Sequence, residues 1–303
     1  MFMDRHSLDP LGTLCSGLSR VELAIRRCGS GMISRYPLVR APVLKLWCRY
    51  MLAYGTTRAR VTELRDGHQA PIDPFSVVSV DPDRIEYLVE DDGYPNQIRE
   101  ESAFPPPKFK HAGRVRGGDW DDRTHRFEET DVYRGFEDRF VRDVPWHETD
   151  FYRRSVAYIE NGFELWGCTS ECDFRRRCEF VESLYDSIAR EGYRSQSELA
   201  AASSDTLGDD PRAIETITDE ITVCVGRDGD LLFMDGRNRL AIAKILDLDS
   251  VPVWIMTRHE GWQRARNRVA ADPSRWRELP DRLQGHPDLS DLRSTSYGSE
   301  RIS

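Results

Sequence analysis

Five consecutive residues, Asp235-Gly236-Arg237-Asn238-Arg239, gather groups suited to handling an anion. Two guanidinium forks match the oxygen geometry of a phosphate. Gly236 permits close backbone approach. Asp235 can take a proton from a hydroxyl, hold a metal or orient one of the arginines. If a helix starts here, its first N–H groups point outward with a partial positive charge and complete a phosphate site. The plainer alternative is that Asp235 caps the helix and both arginines are solvated.

The flanking pattern supplies the helix. Ile221, Val223 and Val225 alternate with Thr222 and Cys224, the period of a strand. Gly226–Asp230 carries Asp-Gly turn chemistry, and Leu231–Met234 reads as a short return strand. Arg237–Leu248 reads as a helix. Val251–Met256 reads as a strand with Pro252 near its start, where the missing N–H matters least. Glu260–Val269 is helical again. The order is hairpin, helix, strand, helix.

The run Asp235 to Lys244, followed by Val251-Pro252-Val253 and Arg258-His259, resembles the ParB N-terminal domain-like (ParB/sulfiredoxin) superfamily. That superfamily's usual run is Asp-Gly-x-His-Arg-Leu-x-Ala-Ala, a helix, then an Ile/Val-Pro-Val strand. The resemblance covers residues 180–268. It implies an α+β fold and a nucleotide or phosphate held at the strand-to-helix turn by Asp235, Gly236, Arg237 and Arg239. Asn238 stands where many relatives have His, and Asn cannot shuttle protons near neutral pH. The turn has no Cys, which argues against sulfiredoxin chemistry. In such proteins an extended segment after a Gly-terminated helix edges the pocket, which implicates Arg194, Ser195 and Gln196.

Other carboxylates are available to a reaction. Glu220 joins Asp235 as a catalytic candidate. Gly113–Asp121 places two glycines before Asp119-Trp120-Asp121, a turn able to approach an anion or a sugar hydroxyl. Asp119 or Asp121 is expected to face the Asp235–Arg239 turn across a crevice. The plainer reading is a tight turn closed by Asp side chains. The aromatics that follow, including Phe136, Trp146, Phe151 and Trp166, read as core.

With 303 residues the chain has room for two modest domains or one with a large extension. Its expected divisions are a helical and small-sheet region at 1–107, an aromatic-rich region at 108–174, the ParB-like domain at 175–270 and a loosely ordered tail at 271–303. Within the first region, Leu18–Arg27 and Pro42–Gly55 read as helices. Ser76–Val80, Thr57–Leu64 and Arg84–Leu88 read as strands, and Val89–Pro107 as a loop. Arg175–Glu191 reads as an amphipathic helix ended by Gly192, and Ala202–Arg212 as a loop.

Net charge is −9, so the surface as a whole does not attract nucleic acid. Lys occurs only at positions 45, 108, 110 and 244. Abundant acid with scarce Lys resembles proteins of salt-loving archaea, and a GC-rich genome alone also yields the Arg bias. Seven scattered cysteines exclude a simple disulfide framework. Cys168, Cys172 and Cys178 lack the paired spacing and fourth ligand of a zinc site, so no metal site is assigned. No signal peptide is evident, and Val39–Tyr54 is interrupted by Arg40, Lys45 and Arg49. A cytoplasmic protein without a transmembrane segment is expected.

Together these readings predict a protein that binds a nucleotide or other phosphorylated ligand, with phosphoryl transfer or nucleotide hydrolysis as the associated chemistry. A nucleotide with Mg²⁺ is the cofactor that chemistry would take. The alternatives are a nucleic-acid-binding or nuclease-like protein, and a non-catalytic module with a degenerate site. The acidic balance and the lack of a helix-turn-helix after the ParB-like run speak against sequence-specific DNA binding.

Overall fold

A computed structural model describes residues 40–89, 108–203 and 213–293. The helix expected at Leu18–Arg27 lies outside them, as do most of the loops at Val89–Pro107 and Ala202–Arg212. The chain divides into two compact units, residues 1–50 and 51–303. The first helix among the described residues, α1, spans Arg40–Asp66. Among the described residues no helix is long and apolar enough to cross a membrane.

The second unit is a mixed α+β structure on a mixed sheet. The strands are β1 (Val77–Val80), β2 (Tyr87–Leu88), β3 (Arg114–Arg116), β4 (Ile221–Val225), β5 (Leu231–Asp235) and β6 (Val251–His259). The longest, β6, organises the sheet. On one flank it pairs in parallel with β4, from Ile221↔Val253 to Val225↔Arg258. On the other it pairs first with antiparallel β1, Val80↔Val251 to Val77↔Trp254, and then with parallel β3, Arg114↔Thr257 to Arg116↔His259. β4 and β5 form the expected antiparallel hairpin, and β2 extends it in parallel.

Side chains alternate across this sheet as the pleat requires. Val223, Val225, Phe233, Val253 and Ile255 face the larger core. Cys224, Leu232, Trp254 and Met256 face a smaller one with Ala112. The larger core is built by helices α2 (Asp131–Phe140), α3 (Asp150–Glu160), α4 (Glu171–Glu191) and α7 (Arg237–Ile245). Phe174, Cys178, Val181 and Ile188 lie on the buried face of α4 at helical spacing. Thr130, Thr149 and Ser170 cap α2, α3 and α4 through their hydroxyls. Gly192 ends α4 with its amide on the Ile188 carbonyl, as the sequence predicts. The aromatic-rich stretch is core: Phe136, Phe151 and Phe174 are buried and meet at ring distances of 5.7–6.2 Å. Short helices α5 (Gln196–Ser203) and α6 (Ala213–Thr218) precede the hairpin, and α8 (Glu260–Ala271) follows β6.

Three expectations fail. Thr57–Leu64 is not a strand: α1 continues through it to Asp66. Its β-branched residues Thr57 and Val61 lie on the helix instead. The sheet also crosses the expected boundaries, since β1 and β2 lie before position 107, β3 before 174, and all join the hairpin's sheet. Finally, residues 273–293 are not a loose tail. His286, Asp288 and Leu289 are buried, within a stretch that includes the short helix α9 (Asp281–Gln284).

Polar pairing anchors this C-terminal stretch. The Arg258 Nε of β6 donates to Asp288 Oδ2 at 2.9 Å, and Trp262 Nε1 donates to the same oxygen at 2.8 Å. Arg266 Nη1 lies 3.4 Å from it. Burial alone would raise the Asp288 carboxyl, but the two guanidinium groups hold it down at about 2. His286 Nε2 lies 2.9 Å from the Gly229 carbonyl of the hairpin turn, and His286 Nδ1 accepts from the Asp288 amide at 3.2 Å. An imidazole that accepts at Nδ1 and meets a carbonyl at Nε2 is neutral with its proton on Nε2. Burial accordingly lowers its pKa to about 4.

Acid stability follows in two windows. The His286 base is depressed below its ordinary 6.5, so its contribution is lost as pH falls from 6.5 to about 4. The Asp288 acid is depressed below 3.8, so its contribution is lost as pH falls further toward 2. Urea titrations across pH should show the first loss, on the order of 3 kcal/mol, flatten in His286→Gln. A pH profile unchanged by that substitution would refute the buried neutral imidazole. Asp288→Asn should cost about 3–5 kcal/mol at neutral pH, because it leaves Arg258 buried without its charge partner, while Arg266 keeps Asp291 at 2.7 Å.

Candidate functional site

The Asp235–Arg239 turn does join a strand to a helix. Asp235 ends β5 and Gly236 begins α7 with φ +90°. That left-handed conformation suits glycine. A Cβ here would also lie 2.9 Å from the Ile221 Cα. The turn therefore lies directly on the first residue of β4. The N-cap residue of α7, Gly236, brings no capping side chain. Its first intrahelical bond runs from the Leu240 amide to the Gly236 carbonyl, 3.1 Å. The amides of Arg237, Asn238 and Arg239 thus precede the helical ladder, and the positive end of the helix dipole lies among them.

The side chains divide in direction. Asp235 is half exposed and forms an ion pair with Lys108. Arg237 turns toward the hairpin, its guanidinium carbon 5.9 Å from the centre of the Phe233 ring. Asn238 is half-buried in the first turn. The Arg239 side chain is one-fifth exposed, and its Nη1 lies 4.0 Å from Glu220 Oε2. Glu220 is buried, only 3% exposed.

Glu220 is held from a second helix. Its Oε1 accepts from the Gln196 amide at 2.6 Å, at the start of α5. Ser195 and Glu198 cap that helix reciprocally: the Glu198 amide donates to Ser195 Oγ at 3.1 Å, and the Ser195 amide to Glu198 Oε2 at 2.7 Å. Arg194 pairs with Glu191 at 3.4 Å. Of the expected segment Arg194-Ser195-Gln196, only the Gln196 backbone reaches the site. The Arg194 and Ser195 side chains serve the ends of α4 and α5.

Three polar atoms at this place are buried without a hydrogen bond of normal geometry: Glu220 Oε2, Arg239 Nη1 and Tyr193 Oη. Burial pushes the Glu220 carboxyl up, while the Gln196 amide and Arg239 oppose it. Burial likewise pushes Tyr193 up to about 12, with Arg239 opposing, so the phenol is neutral. Neighbouring Asp219 is also raised, by burial first, with Arg239 and Lys108 opposing and Asp235 reinforcing. Each unsatisfied buried group costs about 1–3 kcal/mol. Three on neighbouring residues make this a polar spot in the interior. Lys108, Tyr193 and Asp219 were not anticipated. Lys108 lies 127 positions from Asp235, a separation at which one sequence carries no signal.

Asp119 and Asp121 belong elsewhere. Asp121 Oδ2 accepts from the Arg227 amide at 2.6 Å and from its Nε at 2.9 Å, while Asp119 Oδ1 accepts from Arg227 Nη2 at 2.9 Å. Burial would raise the Asp121 carboxyl, but the Arg227 hydrogen bonds hold it below the usual range. Arg227 sits in the turn between Val225 and Leu231, whereas Asp235 pairs with Thr222 at the other end of the hairpin. The crevice expected between Asp119 or Asp121 and the Asp235–Arg239 turn is therefore absent: the two lie at opposite ends of the hairpin. The glycine-rich turn is closed by its own carboxylates on Arg227.

Cys168 and Cys178 are buried and Cys172 is exposed. Among the described residues, no group of His, Cys, Asp or Glu is placed to hold a metal ion. Comparison with family models, with curated proteins and with solved structures finds no match for this chain.

Gly236 is the position least able to change. Gly236→Ala adds left-handed strain of about 1–3 kcal/mol and drives a methyl into the Ile221 backbone. Its urea midpoint should fall accordingly. Wild-type stability in that variant would contradict the close approach of turn and strand.

Proposed function

We propose that the Asp235–Arg239 turn binds a phosphorylated ligand, a nucleotide or another phosphate ester, within a ParB/sulfiredoxin-like domain. The observation carrying this reading is the α7 N-terminus, whose N-cap residue is a left-handed glycine that brings no capping side chain and lies against β4. The Asn238 and Arg239 amides ahead of the helical ladder can donate to phosphoryl oxygens. Arg239 and Lys108 flank them, one from the helix and one paired with Asp235. An incoming phosphate competes with Asp235 for Lys108, so Asp235 sets a threshold rather than a bond to the ligand. The order hairpin, helix, strand, helix is the order the resemblance implies.

The reading stops at binding. Asn238 supplies no proton relay, and the described residues offer no carboxylate set for a metal. Arg237 lies against Phe233 and is assigned to shaping the turn, with the charge contact given to Arg239.

Inorganic phosphate and nucleoside mono-, di- and triphosphates should raise the melting temperature, more at low salt than at molar salt. Calorimetric titration should show Arg239→Ala weakening binding about tenfold or more, as expected for a lost charge-assisted hydrogen bond. Lys108→Ala should act in the same direction. If no phosphate compound at millimolar concentration shifts the melting curve at either salt, the reading falls.

A further inference from the structure

Phosphate binding uses the amides of α7 and the cations beside them. It leaves Tyr193 Oη, Glu220 Oε2 and Arg239 Nη1 buried beside one another with no hydrogen bond of normal geometry, the last two facing each other as a long ion pair. Their chemistry is mixed. Arg239 only donates, a carboxylate at Glu220 only accepts, and the neutral Tyr193 phenol does either. A phosphoryl oxygen brought here would face the Glu220 carboxylate. An ammonium would face the Arg239 guanidinium, and a methyl would satisfy none of the three. A hydroxyl satisfies all of them: its proton goes to Glu220 Oε2, and its oxygen accepts from Arg239 and Tyr193.

The position of Arg239 links this pocket to the turn. Its Nη2 lies 3.5 Å from where a Cβ on Gly236 would sit, and its Nη1 lies 4.0 Å from Glu220 Oε2. One guanidinium therefore borders both places. A phosphoryl group at the α7 amides and a hydroxyl at Glu220 lie on neighbouring sides of it, a few bonds apart in one molecule. Glu220 is fixed for this task by the Gln196 amide on its other oxygen, which leaves Oε2 directed at Arg239.

We propose that Tyr193, Glu220 and Arg239 form a hydroxyl subsite beside the phosphate turn, so that the ligand is a polyol or sugar phosphate in which a hydroxyl lies a few bonds from the phosphoryl group. This rests on the phosphate reading above and adds the substrate class to it. Ribose phosphates, and hence nucleotides, fall within that class.

The test compares glycerol 1-phosphate with ethyl phosphate by calorimetric titration of the full chain. Ethyl phosphate carries the phosphoryl group and no hydroxyl. The wild-type protein should prefer glycerol 1-phosphate by about tenfold or more. Tyr193→Phe and Glu220→Gln each remove one partner with little change of shape. Each should bring that preference down toward one, through weaker binding of glycerol 1-phosphate. Equal wild-type affinities would overturn the subsite while leaving the phosphate reading intact; they would mean that the three atoms share only a bound water. A preference that survives both substitutions would also overturn it. If neither compound binds, the phosphate reading fails and the subsite falls with it.

Discussion

One carboxylate, that of Asp288, closes the sheet at the end where β4 and β6 finish. It receives Arg258 from β6, Trp262 from α8 and the nearby charge of Arg266. Arg258 and Arg266 are each 1% exposed. Two buried guanidinium groups on adjacent elements would repel each other and lose their hydration without a shared anion. The carboxylate comes from the far C-terminal part of the chain, so that segment completes the packing of the strand and helix. The polar chemistry of the tail is thus part of the core.

The two ends of the β4–β5 hairpin contrast. At the turn end, Arg227 is held by Asp119 and Asp121, and Asp230 sits 3.1 Å from Arg123. At the other end, Glu220, Arg239 and Tyr193 leave polar atoms unsatisfied in the interior. A fold tolerates such groups where something else depends on them. Charge alone does not separate the two ends, since both are rich in Asp and Arg.

Much of the hairpin, α7, β6 and α8 was legible because period and turn residues agree there. Ile221–Val225 alternates, Asp-Gly breaks the run, and Gly236 stands where a helix must start against a strand. Two of the failures share a cause. Asp119 and Asp121 looked like ligand groups, and 271–303 looked loose, because side-chain partners more than a hundred positions away, or buried in ion pairs, do not show in local composition. Arg227 is 106 residues from Asp121. Asp288 and His286 read as solvent residues by type and are buried by pairing. Thr57–Leu64 differs, because β-branched residues such as Thr57 and Val61 are permitted within a long helix. Tyr193 carried no signal beyond its place after a helix-ending glycine.

The two flanks of β6 bear on how the chain comes off the ribosome. Val77 pairs with Trp254 and Arg114 with Thr257, so both partners of that flank emerge long before the strand they join. β4 too emerges ahead of β6, and waits for Val251–His259. The central strand is made last. Until it appears, β1 and β3 have nothing on the sheet to bond, and their open edges must be kept apart from other chains by the rest of the nascent protein.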